Sequence, residues 1–199
     1  MKNDLDALAA AMPLLSIRSQ DFARSLIEQG KDRGLTDKQL YWVRKLVADA
    51  SAPKPSVNLG DFSSVIALFK GASERLKHPK VRLQLADGSP IALTMAGATS
   101  KAPGTVNVTD GKPFGSSVWY GRVNPDGKWD MSGKVDASTA SAITALLVNF
   151  ATNPAKVASA YGKQTGSCCF CARELTDARS VSVGYGPICA DKYSLPWGE

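Results

Sequence analysis

Four cysteines, the residues of this chain best suited to holding a metal ion, lie close together near its C-terminal end. Cys168 and Cys171 are separated by two residues, and Cys189 follows after 17 intervening residues. The two-residue spacing is that of a zinc knuckle, in which a tight turn brings both sulfurs to one point and backbone N–H groups support the thiolates. The longer interval lets a small loop fold back and deliver a third thiolate. The spacing therefore predicts a zinc ion held by these three cysteines.

The return of that loop depends on backbone conformations that most residues avoid. Gly184 and Gly186 stand on either side of Tyr185, just before Cys189. Glycine adopts such conformations at little steric cost. These glycines are therefore expected to shape the turn that presents the third sulfur.

A structural zinc site normally has four protein ligands, and the sequence offers several candidates for the fourth. Cys169 adjoins Cys168, but adjacent side chains tend to project in different directions. The other candidates are Asp177, Asp191 and the single histidine, His78. A water ligand would indicate catalysis, but the chain has no His-x-Glu pattern and no neighbouring base to support it. We therefore favour a structural zinc.

The same cysteines also admit a redox pair or a set of buried free thiols. In a reducing cytosol, clustered cysteines indicate metal binding or redox activity sooner than a disulfide framework. A redox Cys-x-x-Cys pair is expected at a strand-to-helix junction of thioredoxin type, whereas here a helical pattern and Gly166 precede the pair. The sequence therefore favours zinc over the redox alternative.

The C-terminal segment runs from Gly166 to Ala190 and reads GSCCFCARELTDARSVSVGYGPICA. It resembles a family of short cysteine-containing modules of unknown function, which are found in bacteriophage and bacterial proteins. The resemblance covers the C-terminal segment alone. It implies metal ligands and framework residues at these positions: Cys168, Cys171 and Cys189 as ligands, and Arg173, Asp177 and Ser180 as framework.

This chain departs from the family pattern at Ala172, where the family usually has glycine, and at Cys169, which is additional. A second stretch, Phe22 to Val43, resembles a helical pair of phage proteins that carry this tail. The two likenesses imply a phage origin, and with it a location in the cytoplasm of a host bacterium.

The composition indicates a globular protein with a modest preference for polyanions. The chain has 199 residues, of which 44% are hydrophobic and 21% charged, enough to bury a core. Its formal net charge is +6, although 18 acidic residues are interspersed. No apolar run approaches the roughly 20 residues that span a bilayer, and the first residues do not form a signal peptide. We expect a cytoplasmic protein with no membrane partner.

Hydrophobic periodicity predicts an α+β fold in four parts. Residues 1–50 form a helical region, in which Thr36 and Gln39 make a capping box. Residues 51–58 form a proline-containing linker, and residues 59–162 form a central α+β domain. Residues 163–199 form the zinc-binding module, similar to a knuckle or ribbon.

Within the central domain, apolar residues alternate with polar ones from residue 80 to residue 131. This period of two predicts a small antiparallel sheet or a partly open barrel of about five strands. The predicted strands cover residues 81–85, 91–95, 105–109, 117–123 and 128–131. Helical patterns precede and follow them, at residues 61–78, 137–150 and 154–161.

The strand region also holds the best candidates for binding nucleic acid. Single-stranded nucleic acid uses aromatic faces interleaved with cations, because bases stack on the rings, at about 1 to 3 kcal/mol each, and phosphates pair with the cations. In an alternating strand, neighbouring aromatics face opposite ways, so only one of two can join a given surface. The aromatics can equally be core residues and the charges ordinary solvated positions. The candidates are Trp119, Tyr120, Arg122, Lys128, Trp129, Lys101, Lys112 and Arg82.

Catalysis finds little support in the sequence. There is one histidine, no evident Ser-His-Asp set, and no paired carboxylates at a meaningful spacing. We therefore expect a non-enzymatic zinc-containing phage accessory protein that binds single-stranded DNA or RNA. The alternative is a host-takeover or anti-defence factor that binds and inhibits a bacterial enzyme. A zinc-dependent enzyme is a third possibility.

Overall fold

The computed structural model of the chain describes residues 2–15, 17–52, 55–113 and 115–198. The chain divides into two compact units, an N-terminal unit, Met1–Pro53, and a C-terminal unit, Lys54–Glu199. Pro53 and Lys54, which belong to the predicted linker, lie outside the described residues.

The N-terminal unit is helical, as the apolar spacing predicts. Its helices are α1 (Lys2–Ala11), a short 3-10 helix (Met12–Leu14), α2 (Ile17–Asp32) and α3 (Asp37–Ser51). The capping box is confirmed, because the Thr36 hydroxyl accepts the backbone N–H of Gln39 while the Gln39 side chain accepts that of Thr36. Burial of one face of each helix stabilises the unit, with Leu8, Ala23, Leu26, Val43 and Leu46 as its core.

The C-terminal unit is built on an antiparallel sheet, so the chain has the α+β fold that the sequence predicts. The strands are β1 (Ser56–Asn58), β2 (Lys80–Gln84), β3 (Pro90–Met95), β4 (Val106–Thr109), β5 (Trp119–Val123) and β6 (Lys128–Met131). Their order across the open sheet is β1-β6-β5-β4-β3-β2, and neighbouring strands are antiparallel.

Strand β1 lies inside the stretch that the sequence predicts as linker. Its three residues pair with β6, Ser56 opposite Asp130 and Val57 opposite Trp129. Three residues are too few to display an alternating pattern, so the sequence predicts five strands where the described residues form six.

The two faces of the sheet differ in chemistry. The inner face, which carries Val81, Leu93, Val108, Val123 and Trp129, belongs to the main hydrophobic cluster. Side chains of α4 (Ser63–Ser73), α5 (Ala137–Thr152) and α6 (Pro154–Thr165) join the same cluster. The outer face has polar residues opposite one another across the strands: Lys80, Thr94, Asn107, Arg122, Asp130 and Ser56.

The remainder of the C-terminal unit is the cysteine segment, residues 166–193. It contains two short helices, α7 (Ala178–Val183) and α8 (Pro187–Lys192). Gly166 ends α6 in a left-handed conformation, with φ 64°, and so directs the chain out of the helix into the first cysteine turn.

Candidate functional site

Three sulfurs converge in the cysteine segment. The Sγ atoms of Cys168, Cys171 and Cys189 all lie within 4.8 Å of one another. Sulfurs bound to one tetrahedral zinc lie about 3.8 Å apart, given a zinc–sulfur bond of about 2.3 Å. A small contraction would therefore place all three on one metal ion, and the predicted convergence of these cysteines is confirmed.

A hydrogen-bonded turn holds the first two cysteines. The N–H of Cys168 donates to the carbonyl oxygen of Arg173 at 2.8 Å, and the N–H of Ala172 donates to that of Cys168 at 2.9 Å. Ser167 and Glu174 form an isolated antiparallel bridge beneath the turn. These bonds bring Cys171 back over Cys168, as a zinc knuckle requires.

The sulfur of Cys168 sits in surroundings that favour its thiolate. The hydrogen bond from Cys189 lowers the pKa of Cys168 to about 5. Burial opposes this shift, whereas backbone N–H groups of Cys171, Gly186 and Phe170 support it by pointing at the sulfur. Such N–H contacts stabilise thiolate charge, and thiolates rather than thiols bind metals.

Helix α7 and its following turn deliver the third cysteine. Asp177 caps α7 by accepting the N–H groups of Arg179 and Ser180, which lowers the pKa of its carboxyl. Gly184 ends the helix with φ 84°, so its predicted unusual conformation is found. Gly186 has an ordinary φ of −86° and precedes α8, whose first turn contains Cys189.

Cys169, one of the candidates for the fourth ligand, does not join the sulfur cluster. Its side chain is fully buried in the hydrophobic core, where burial raises the pKa of the thiol. Its N–H donates to the carbonyl oxygen of Gly184, and its own carbonyl oxygen accepts the N–H of Arg82. Because adjacent side chains project in different directions, Cys168 belongs to the sulfur cluster and Cys169 to the hydrophobic core.

The other candidates for the fourth ligand are engaged elsewhere or lie apart from the sulfurs. Asp177 caps α7, and Asp191 pairs with Arg75 at 3.1 Å. His78 is exposed in the loop that precedes β2. In the described part of the chain, the cluster of metal-ligand side chains consists of the three cysteines.

The cysteine segment is attached to the edge of the sheet. The Tyr193 hydroxyl accepts the N–H of Lys80 at 2.8 Å and donates to its carbonyl oxygen at 3.0 Å. The ring of Phe170 stacks on that of Tyr193, with centroids 3.8 Å apart. Together with the bond from Arg82 to Cys169, these contacts satisfy backbone groups that an edge strand leaves open. The segment therefore shares the core of its unit.

Ala172 occupies a backbone conformation that favours glycine. Its φ is 61°, a left-handed value that costs a residue with a Cβ about 1–2 kcal/mol. We expect Ala172→Gly to raise the free energy of unfolding by about 0.5–1 kcal/mol, because relief of this strain exceeds the added chain entropy of glycine. Chemical denaturation of both proteins measures the difference. A loss of stability would show that the turn is unstrained at Ala172.

Among the candidates for nucleic-acid binding, Trp119 and Arg122 lie together on the outer face. Trp119 is 39% exposed, and the guanidinium carbon of Arg122 lies 5.5 Å from the centroid of its ring. The indole N–H donates to Asn107 at 3.3 Å. Trp119 and Arg122 are three residues apart in β5, so simple alternation would put them on opposite faces of the sheet. A register shift between Val108 and Thr109 of the neighbouring strand places both on the same face.

The other two aromatic candidates point elsewhere. Trp129 is fully buried in the main hydrophobic cluster, so the expectation that it stacks on bases is corrected. It belongs to the inner face because it pairs with Val123 and Val57. Tyr120 is half-buried and packs against the same cluster. Of the three aromatic candidates, Trp119 is the one whose side chain is exposed.

The cationic candidates are dispersed. Lys128 pairs with Asp130 on the outer face at 3.7 Å, and Lys112 pairs with the buried carboxylate of Asp110 at 3.3 Å. Arg82 lies at the far edge strand and donates to the carbonyl oxygen of Phe170, so its guanidinium serves the cysteine segment. Lys101 is exposed in the loop between β3 and β4. The next residue in that loop, Ala102, lines a cavity of about 500 Å³ beside Trp119 and Arg122.

Residues 158–194 match the model of a family of unknown function, DUF6011. The match covers the end of α6 and the whole cysteine segment, the part of the chain where the sequence resembles a family of unknown function. Comparison with curated proteins and with solved structures gives no match. Among the described residues, no helix is both long and apolar enough to cross a membrane.

Proposed function

We propose that this chain is a non-enzymatic, zinc-containing protein that binds single-stranded DNA or RNA on the outer face of its sheet. The observation that carries the proposal is the exposed ring of Trp119 with the Arg122 guanidinium beside it. A base can stack on that ring while its phosphate pairs with the neighbouring cation.

The cysteines support zinc as the metal. Thiolate ligands select zinc over harder cations such as magnesium and calcium, which prefer oxygen. Bound to Cys168, Cys171 and Cys189, the ion would tie the turn after α6 to the start of α8. The ion would also hold in place two short helices that could not persist alone.

The outer face suits a polyanion that is bound without sequence preference. Arg122 lies opposite Asn107, and Thr94 and Lys80 follow on the next strands, so donors and a second cation extend across the sheet. The cavity beside Trp119 gives an unstacked base space to enter. The net charge of +6 adds a weak attraction that salt screens.

Trp119→Ala is expected to weaken binding of a single-stranded oligonucleotide by about tenfold or more, because loss of one stacked base costs roughly 1–3 kcal/mol. Fluorescence anisotropy of a labelled oligonucleotide at low salt measures this. The matched control is Trp42→Ala, which removes a tryptophan of similar exposure, 44%, from helix α3. Equal affinity of the two variants would contradict the proposed surface, and absence of binding by the unchanged protein at low salt would end the nucleic-acid proposal.

A second candidate function rests on a different surface. Phe22, Tyr41 and Trp42 are exposed on helices α2 and α3. The ring of Trp42 contacts both others edge to face, with its centroid 6.2 Å from that of Phe22 and 5.7 Å from that of Tyr41. Exposed aromatic clusters of this kind are enriched where proteins bind proteins. If the chain is a protein-binding factor, Trp42→Ala should abolish capture of a stoichiometric, nuclease-insensitive partner, and Trp119→Ala should preserve it. The phage origin and host target implied by the sequence stay predictions.

A further inference from the structure

The sulfur cluster forms part of the wall of a cavity. Cys168, Cys171 and Cys189 all line a space of about 630 Å³, which is large enough for a small organic molecule. Cys171 is exposed, whereas the side chains of Cys168 and Cys189 are buried. One side of the cluster is therefore closed by protein, and the other faces the cavity.

The described residues supply three of the four donors that a tetrahedral zinc takes. No described histidine, carboxylate or further cysteine joins the three sulfurs. The side chain of Cys169 is fully buried in the hydrophobic core and would have to leave it to reach the three sulfurs. Three protein ligands with a fourth position open to exchange is the arrangement of zinc sites that bind an outside donor.

Charge balance favours an uncharged donor. Zinc with three thiolates carries a net charge of −1, and a further thiolate would make it −2. The charged side chains around the cavity are Arg173 and Lys192, against Glu174 and Asp177, so they offset one another. The surroundings therefore provide no excess positive charge to stabilise a second added negative charge.

The walls of the cavity suit a flat ring. Apolar side chains contribute to its lining: Leu175, Pro187, Ile188 and Trp197. A planar nitrogen heterocycle would place its ring against this surface and its nitrogen toward the sulfurs. Imidazole nitrogen is also among the donors that zinc prefers.

We infer that the metal site takes its fourth donor from outside the chain, as an uncharged nitrogen ligand of the imidazole class that enters through this cavity. The inference rests on the proposed metal binding at the three cysteines.

The test uses the full chain loaded with zinc for X-ray absorption and with cobalt for visible spectroscopy. The zinc spectrum should show three sulfurs and one lighter atom. Addition of imidazole should shift the cobalt d–d bands saturably and leave the sulfur-to-cobalt charge-transfer absorption in place. A zinc spectrum with four sulfurs, or a cobalt spectrum that imidazole leaves unchanged, would overturn the inference while metal binding itself stands.

A substitution at the cavity wall tests the route of entry. Ile188→Trp should weaken imidazole binding by about tenfold or more, because the larger side chain fills space that the ring needs. Leu14→Trp is the matched control, since Leu14 is 64% exposed and Ile188 63%, and it should leave imidazole affinity unchanged. Equal affinities in the two variants would overturn the cavity assignment. Failure of the chain to bind either metal would overturn the proposed zinc site, and the inference with it.

Discussion

Replacing Cys168 with serine is expected to abolish stoichiometric metal binding and to disorder the cysteine segment. Cys168 contributes one of the three sulfurs, and its surroundings lower the pKa of its thiol, so its loss removes a thiolate from the cluster. Structural zinc binds small domains with about 10–16 kcal/mol of apparent free energy, so loss of a ligand should lower the metal affinity at least about a thousandfold. The free energy of unfolding should fall by about 3 kcal/mol or more.

The measurements are metal per chain after dialysis and amide hydrogen exchange across residues 166–193. In the Cys168→Ser variant, exchange should accelerate in this segment and stay slow in strands β3 and β4. Cys169→Ala is the matched control, one position away and outside the sulfur cluster. It should lose stability through a small core cavity while keeping one metal per chain. Loss of metal in the alanine variant with retention in the serine variant would contradict the assignment of ligands.

Gly184→Ala should strongly destabilise the C-terminal unit although it leaves every metal ligand in place. A Cβ at this position would lie 1.8 Å from the carbonyl oxygen of Ala158 and 2.4 Å from its carbon, both backbone atoms of α6. The φ of 84° adds the strain of a left-handed alanine. Helices α6 and α7 would have to separate, at an expected cost of at least about 3 kcal/mol in the free energy of unfolding.

Gly186→Ala provides the comparison for this change. It lies two residues later, its φ is −86°, and a Cβ there would contact nothing within 4 Å. Its cost should stay below about 1 kcal/mol, the usual difference between glycine and alanine at a helix N-cap. Equilibrium denaturation of both variants measures the contrast. If the two variants lose equal stability, glycine at position 184 is not required for the close approach of α6 and α7.

The sequence predicts the local features of the site well because they depend on residues close together in the chain. Two cysteines three positions apart need only one tight turn to bring their sulfurs together. Gly184, a residue that readily adopts a left-handed conformation, indicates the second turn, which places Cys189 beside them. Cys169 stays a candidate ligand in the sequence, because adjacency to Cys168 does not show that its side chain is buried in the core. What the spacing leaves open is the fourth donor, because that depends on surroundings assembled from α7, α8 and the chain terminus.

The sequence does not predict features that depend on contacts between residues far apart in the chain. Alternation separates Trp129 from its neighbours but does not say which face of the sheet is buried, and the helices α4 and α5 decide that. The pairing of Trp119 with Arg122 violates simple alternation and requires the register shift in β4 and β5. The attachment of the cysteine segment to β2 through Tyr193 joins residues 113 positions apart. No pattern within either element signals that contact.

Elemental analysis of the purified chain, with each cysteine replaced in turn, tests the account most directly. The protein should contain one zinc ion per chain, and serine at position 168, 171 or 189 should remove it, whereas alanine at position 169 should not. A metal-free protein whose cysteine segment exchanges its amide hydrogens slowly, with or without a strong chelator, would contradict the account, because the segment would then be held by packing alone.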